Sequence, residues 1–358
     1  MEDVKSRIEK GLVFARYPQS WGGMLTTGIF GVLLMPIRLL IFILTNLIAF
    51  SIWAVLSHLG FVPAALFVLR LQARVWLWCL GVWWIQEKNL KSNIVLPDKC
   101  VFVSNHLGFH EIVWFFMKYR PSFVAKAGVA KAPMIGVLTK QIGTIFVERK
   151  VNATKIDKAG ERRKGEGGGE QKSSSVTSEI LQAAKGRKMM HLCIFPEGTT
   201  TNGEQILKFR SGGFVPLLPR WPVRAKRNED PSRTEPHYVD GVMVAPFVFK
   251  FEGYRRGIDF DPHYTTVGAV GFAFGLMSQP SIGLSVEYLP VQYPLDGETP
   301  RDYANRIQTL VAKASSLPVV SQTYADKKAL EDVISDGHLT YPALYEIQRV
   351  SLDRKNVK

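Results

Sequence analysis

At 358 residues the chain is long enough for one large or two ordinary domains, with a full core and no covalent staples. Three scattered cysteines, Cys79, Cys100 and Cys193, form neither a disulfide framework nor a metal-ligand spacing, and they suit a reducing compartment. The formal charge of +14 is local: Lys118–Lys164 holds twelve Lys/Arg against three acids, and residues 205–227 hold six against none. These windows lack the interleaved aromatics of a nucleic-acid site, which leaves phosphate-bearing ligands or a membrane surface as partners.

The first twenty residues mix both signs and lack the early apolar run of a signal peptide. From Trp21 apolar residues dominate. Leu39–Ser57 is nineteen residues without a charge, close to the ~20 that span a bilayer core. Met24–Met35 is too short to span alone, and Pro36–Arg38 separates the two runs, because proline tends to kink or end a helix. The pattern predicts either one span preceded by an interfacial piece or a re-entrant hairpin with both ends on one side. In the next apolar stretch, 61–84, Arg70 and Arg74 share a helix face, and Trp76, Trp78, Trp83 and Trp84 suit a membrane–water boundary. It reads as a helix in or against the interface, so residues 21–86 form the expected anchor.

From residue 100, β-prone runs at 100–104, 122–126, 143–148, 191–195, 242–251 and 284–290 alternate with helical stretches. Those lie at 111–119, about 132–141, 178–186, near 264–277 and 300–314. The alternation predicts an α/β domain over 87–317: a mostly parallel sheet flanked by helices, preceded by N-terminal membrane-embedded or interfacial helices. Two polar, aperiodic stretches, 151–177 and 219–238, read as disordered insertions, and 318–358 reads as a tail.

In "VFVSNHLGFHEIVWF" a strand runs into Asn105-His106, and Glu111 follows about one helical turn later. The residues alone allow two readings: ordinary polar residues of a strand-to-helix turn, or a catalytic pair. "FPEGTTTNG" (195–203) puts a carboxylate, a glycine and three hydroxyls at another strand end, and "GTIFVER" ends on Arg149. Each alone fits a plain turn or a solvated strand end.

In this order, and with "VAPF" (244–247), the three stretches resemble the glycerolipid acyltransferase family, the lysophosphatidic acid acyltransferase-like enzymes. The run "EGTTTNGEQILKFRSGGF" is similar to the lysophosphatidylcholine/lysophosphatidylethanolamine acyltransferase branch. The resemblance covers about 85–315 apart from the insertions. One position departs: the family's aspartate is Glu111 here, which keeps the charge and both acceptor oxygens on a stem one methylene longer.

The resemblance implies that His106 acts as general base with Glu111 orienting its ring; His110 competes, but the Asn-His match favours His106. It assigns Arg149 to the lysophospholipid phosphate, and Glu197, Gly198 and Thr199 to the acceptor's glycerol and phosphate region. Asn105 and Arg210 join the substrate-binding set, with Lys126 a weaker candidate. The implied reaction moves a fatty acyl group from acyl-CoA, a co-substrate, to the free hydroxyl of lysophosphatidylcholine or lysophosphatidylethanolamine. It needs no cofactor or metal. Lysophosphatidic acid or glycerol-3-phosphate are alternative acceptors, and a lipid-binding relative with weakened chemistry is the alternative of another class. Acyl-CoA is cytosolic, which implies a catalytic domain on the cytosolic face of the endoplasmic reticulum membrane. The glycosylation pattern at Asn152–Thr154 would be occupied only if the domain faced the lumen.

Overall fold

The computed structural model describes residues 2–17, 19–89, 96–97, 100–131, 135–147, 191–218, 241–337, 339, 343–344 and 346–347. Arg149, both expected insertions and the helix expected at 178–186 lie outside the described residues.

A seven-stranded sheet runs in the order β1-β8-β7-β2-β5-β3-β4. Its strands are β1 (Val82–Lys88), β2 (Cys100–Ser104), β3 (Ser122–Lys126), β4 (Ile145–Val147), β5 (His191–Ile194), β7 (Val244–Glu252) and β8 (Ile282–Tyr288). The five strands from β7 to β4 run parallel; β8 is antiparallel to β7, and β1 is parallel to β8. A short β6 (Ile206–Leu207) pairs with β9 (Val319–Val320) in a separate ribbon. The expected mostly parallel α/β sheet is what the chain forms.

Central strand β2 is buried along its whole length, which is why it reads as an unbroken apolar run. Phe102 points to one face with Trp114, Phe115, Phe247 and Phe249, whereas Val101 and Val103 point to the other with Tyr303 and Ile307. The first face carries α3 (Val62–Cys79) and α4 (His110–Tyr119); the second carries α7 (Pro300–Ser315). A capping box between Thr299 and Asp302, with Pro300 in the first turn, starts α7. The other α-helices among the described residues include α1 (Glu2–Gly11), α5 (Ile135–Gln141), α6 (Ala269–Met277) and α8 (Tyr324–Ser335).

The anchor differs from the expectation in three ways. First, Pro36 does not divide it: α2 (Trp21–His58) is one continuous helix of 38 residues, about 57 Å at 1.5 Å per residue. A proline removes one backbone donor, and here the turn after it is pinned by tertiary contacts. Arg38, 1% exposed, donates to the carbonyls of Met277 (2.9 Å), Pro280 (3.0 Å) and Gln279. Second, α2 and α3 form a hairpin turned at Gly60 (φ +84°), joined by Gln72 to Thr45 (2.9 Å) and Trp76 to Asn46 (2.9 Å). Third, Trp83 and Trp84 lie on β1, so the sheet begins at Val82, inside the stretch read as interfacial.

Arg70 and Arg74 also do other work than the sequence suggests. Arg70 Nε donates to Met117 O (2.7 Å) at the C-terminal end of α4, and Arg74 donates to Trp83 O (2.9 Å). The 318–358 tail is partly structured as well: α8 packs on α1 through a cluster that includes Phe14, Leu207 and Leu330. Helices α1 and α8 therefore meet beside β6.

Candidate active site

Strand β2 is followed directly by Asn105, whose side-chain amide donates to Phe249 O (2.9 Å) and accepts from Phe249 N (2.8 Å). These two bonds extend the β2–β7 ladder by one rung and fix where His106 leaves the sheet. Asn105 is 1% exposed, and both its polar atoms are used in this way.

His106 follows with its side chain 15% exposed. Its Nδ1 lies 2.8 Å from Glu111 Oε1. The same oxygen accepts the backbone N–H groups of Leu107 (2.6 Å) and Gly108 (2.7 Å). Glu111 sits in the first turn of α4, fully buried, where a carboxylate also meets the positive end of the helix. The extra methylene of glutamate thus reaches the ring and both amides together. The imidazole stacks on Phe195, with centroids 4.2 Å apart and planes at 18°. With Nδ1 committed to the carboxylate, Nε2 is the nitrogen left to exchange a proton.

Glu197 does not turn its carboxylate outward. It is 2% exposed, Oε1 accepting His106 N (2.9 Å) and Oε2 accepting Leu207 N (2.9 Å). Burial pushes its pKa up to about 8, while the Leu207 and His106 N–H groups pull the other way. Gly198 adopts φ +72°, and a Cβ there would meet the Arg210 guanidinium. Arg210 therefore lies against this turn; its side chain is exposed and forms no hydrogen bond or ion pair to any other described residue. Thr199 is buried at the same turn, and Lys126 is exposed at the end of β3. The structure thus brings Asn105, His106, Glu111, Glu197, Gly198, Thr199 and Arg210 together at the C-terminal edge of the central strands β2 and β5.

His110 is no competitor for His106. It is fully buried, edge-on to Phe251 (5.0 Å), and burial pushes its pKa down to about 4.

Several contributors carry no motif. A closed ring of bonds surrounds His106: Thr201 N donates to His106 O (3.3 Å), Tyr264 N donates to Leu107 O (2.8 Å), and the Thr200 hydroxyl donates to Tyr264 O. Lys327 of α8, 7% exposed, reaches the Thr200 hydroxyl (3.1 Å) from behind. A second histidine–carboxylate pair, His263 Nδ1 and Asp261 Oδ1 at 2.7 Å, lies close by. Gly203 backs directly onto its Nε2, leaving no room for a Cβ. The Asp-Pro-His spacing was the one sequence signal for that pair, and nothing distinguished it from a turn.

An α/β domain with a carboxylate-held histidine at the exit of its central strand is a scaffold for general-base chemistry. Residues 86–217 match the Acyltransferase family model. The chain is similar to the lysophospholipid acyltransferase LPEAT1 of Arabidopsis thaliana, 27% identical over 295 residues, covering 76% of this chain and 64% of that protein. Lysophosphatidylcholine acyltransferase 2 of Homo sapiens is 26% identical over 269 residues, covering 73% of this chain and 41% of that protein. Among solved structures, the 1-acyl-sn-glycerophosphate acyltransferase PlsC of Thermotoga maritima gives a TM-score of 0.44 at 12% identity, over 78% of this chain and 96% of that one. The chain thus spans from about two fifths to just under two thirds of the length of these curated relatives.

Proposed function

We propose that this chain is a membrane-attached acyltransferase that moves a fatty acyl group from acyl-CoA to the free hydroxyl of a lysophospholipid. The observation that carries this reading is the His106–Glu111 pair: a part-exposed imidazole whose Nδ1 is held at 2.8 Å by a fully buried carboxylate. His106 Nε2 takes the proton of the attacking hydroxyl, and Glu111 holds the tautomer and stabilises the imidazolium. The ester bond forms, the thioester bond breaks, and the proton passes from His106 to the departing thiolate. The thioester is already activated, so this reaction draws on no metal or cofactor.

Lysophosphatidylcholine and lysophosphatidylethanolamine are the favoured acceptors, because the named relatives include lysophospholipid and lysophosphatidylcholine acyltransferases. The exposed Arg210 beside Gly198 supplies a cation for the acceptor phosphate, and Arg149 is proposed for the same task. Glu197 and Asn105 serve as positioning residues, since their polar atoms are already engaged with backbone.

Membrane attachment rests on α2 and α3, both long and apolar enough to cross a bilayer. Their ties favour a hairpin lying along one leaflet, and a cytosolic acyl-CoA donor favours a catalytic domain on the cytosolic side of the endoplasmic reticulum. Near the start of α2, Gln19 donates to Ile258 O (2.9 Å); near its end, Trp53 donates to Gln141 (2.7 Å). One domain cannot hold both ends of a helix that crosses the membrane.

The test is acyl-CoA-dependent acylation in membranes carrying the protein, with lysophospholipids that differ only in headgroup. His106→Ala is expected to lower turnover by roughly 10²–10⁴-fold. Wild-type membranes that acylate no acceptor above background would sink the proposal.

A further inference from the structure

Helix α6, Ala269–Met277, has the sequence AVGFAFGLM, without a charged or strongly polar residue. Its inner face is buried: Phe272 and Leu276 are 0% exposed, and the Phe272 ring packs at a tilt against Tyr264 (5.1 Å) and Phe109 (6.0 Å). Its outer face is bare, with Val270 at 70% and Phe274 at 40% exposure, one helical turn apart. A helix apolar on both faces is normally covered on both.

This bare face continues the outward stripe of α2. The two helices pack where Thr27 accepts from Gln279 (3.3 Å) and Gly31 lies against Ser278. Trp21, Leu25, Ile29 and Val32 of α2 stay exposed beside that contact. An open, mostly apolar groove of about 570 Å³ runs along it, lined by Met24, Gly28, Val32 and Met35. At the margin, in the segment leading into α6, Arg255 and Arg256 pair with Asp259 and Glu204 and still keep side chains 59% and 50% exposed. An apolar field bordered by arginines matches a leaflet, with acyl chains beneath and phosphates at the edge.

We propose that α6 is a third membrane-docking element, seated among lipid acyl chains beside the N-terminal half of α2. This rests on the membrane-attached reading above and deepens it, because α6 is also the floor of the catalytic edge. Phe272 touches Phe109 and Tyr264; Tyr264 packs on Gly108 and bonds Leu107, the residue after His106. Only a layer of aromatic rings then separates His106 from the leaflet that holds a lysophospholipid acceptor, which reaches the site sideways without leaving the bilayer.

The test uses the full chain in phosphatidylcholine nanodiscs, with single environment-sensitive labels at Val270→Cys, Phe274→Cys, Leu40→Cys on α2 and Asn305→Cys on α7. The native cysteines are all buried, so labelling is site-specific. Doxyl-labelled lipid is expected to quench positions 270, 274 and 40 and to spare 305. Iodide quenching of 270 and 274 from water, or contact between labels of two copies without lipid quenching, overturns the proposal. Absence of quenching at 40 overturns the membrane reading itself. None of these readouts depends on turnover, so they decide the docking even if no acceptor is acylated. As a second arm, the Val270→Glu, Phe274→Glu double variant is expected to raise the apparent KM for a bilayer-embedded acceptor roughly tenfold. It should leave a short-chain, water-soluble acceptor unchanged; equal effects on both, or none, count against the docking.

Discussion

Glu111 does three jobs with one oxygen: it holds the His106 ring, and it caps the N–H groups of Leu107 and Gly108. Shortening it therefore has a geometric cost. Glu111→Asp pulls the carboxylate back by about 1.5 Å, one carbon–carbon bond, unless α4 shifts with it. The expected result is a drop in turnover of about tenfold with the acceptor KM unchanged, because the interaction lost is one that strengthens as the imidazolium forms. Equal or higher kcat in Glu111→Asp would show that the helix adapts and that the extra methylene is incidental. His110 makes a separate prediction about pH. Its pKa falls to about 4 in the fold from an ordinary value of 6.5, so the unfolded chain binds the extra proton between those values. Stability is then complete above about pH 6.5 and is lost as pH drops towards 4, by about 3 kcal/mol at 1.36 kcal/mol per unit. Thermal unfolding followed from pH 7 to 4 should show this fall, and His110→Phe should flatten it. A variant that keeps the full acid sensitivity would move the cause elsewhere.

Among the elements, the difference between reading and structure is clearest in α2 and α8. Local chemistry at Pro36 argues for a break, and the run either side of it gives no hint that Arg38 finds three carbonyls more than two hundred residues away. Tertiary contact overrode the local preference. The stretch at 324–335 carries a good start signal, a capping box between Thr323 and Asp326, but only the fold puts Lys327 beneath the loop that bonds His106. Lys327→Met keeps the buried stem and removes the ammonium. Removing this donor leaves buried polar groups with an unmade bond, at about 1–3 kcal/mol, so the melting temperature should fall by several degrees while kcat falls several-fold at constant KM. Lys327→Met with wild-type kcat would leave α8 a merely structural helix. By contrast β2, β3, α4 and α7 were legible nearly to the residue, since each carries an uninterrupted run or a clear cap.

For the molecule as a whole, the ties at both ends of α2 predict a hairpin that does not cross. A membrane-impermeant maleimide applied to the side opposite the catalytic domain should label neither Gly60→Cys, at the hairpin turn, nor Asn305→Cys. Labelling of Gly60→Cys alone from that side would establish a span and detach one end of α2 from the domain. The sequence by itself singled out the candidate site residues, because strand exits, the Asn-His and Phe-Pro-Glu-Gly runs and the apolar segments are local patterns. It also determined the α/β class, through the alternation of periodicities. The tertiary structure alone decided what each of those residues holds. Glu197 and Asn105 turn inward to backbone groups, Arg70 and Arg74 hook carbonyls of the catalytic domain, and Lys327 reaches under Thr200. Those partners lie far apart along the chain, and a polar side chain's partner is set by packing across the fold, which no local pattern encodes.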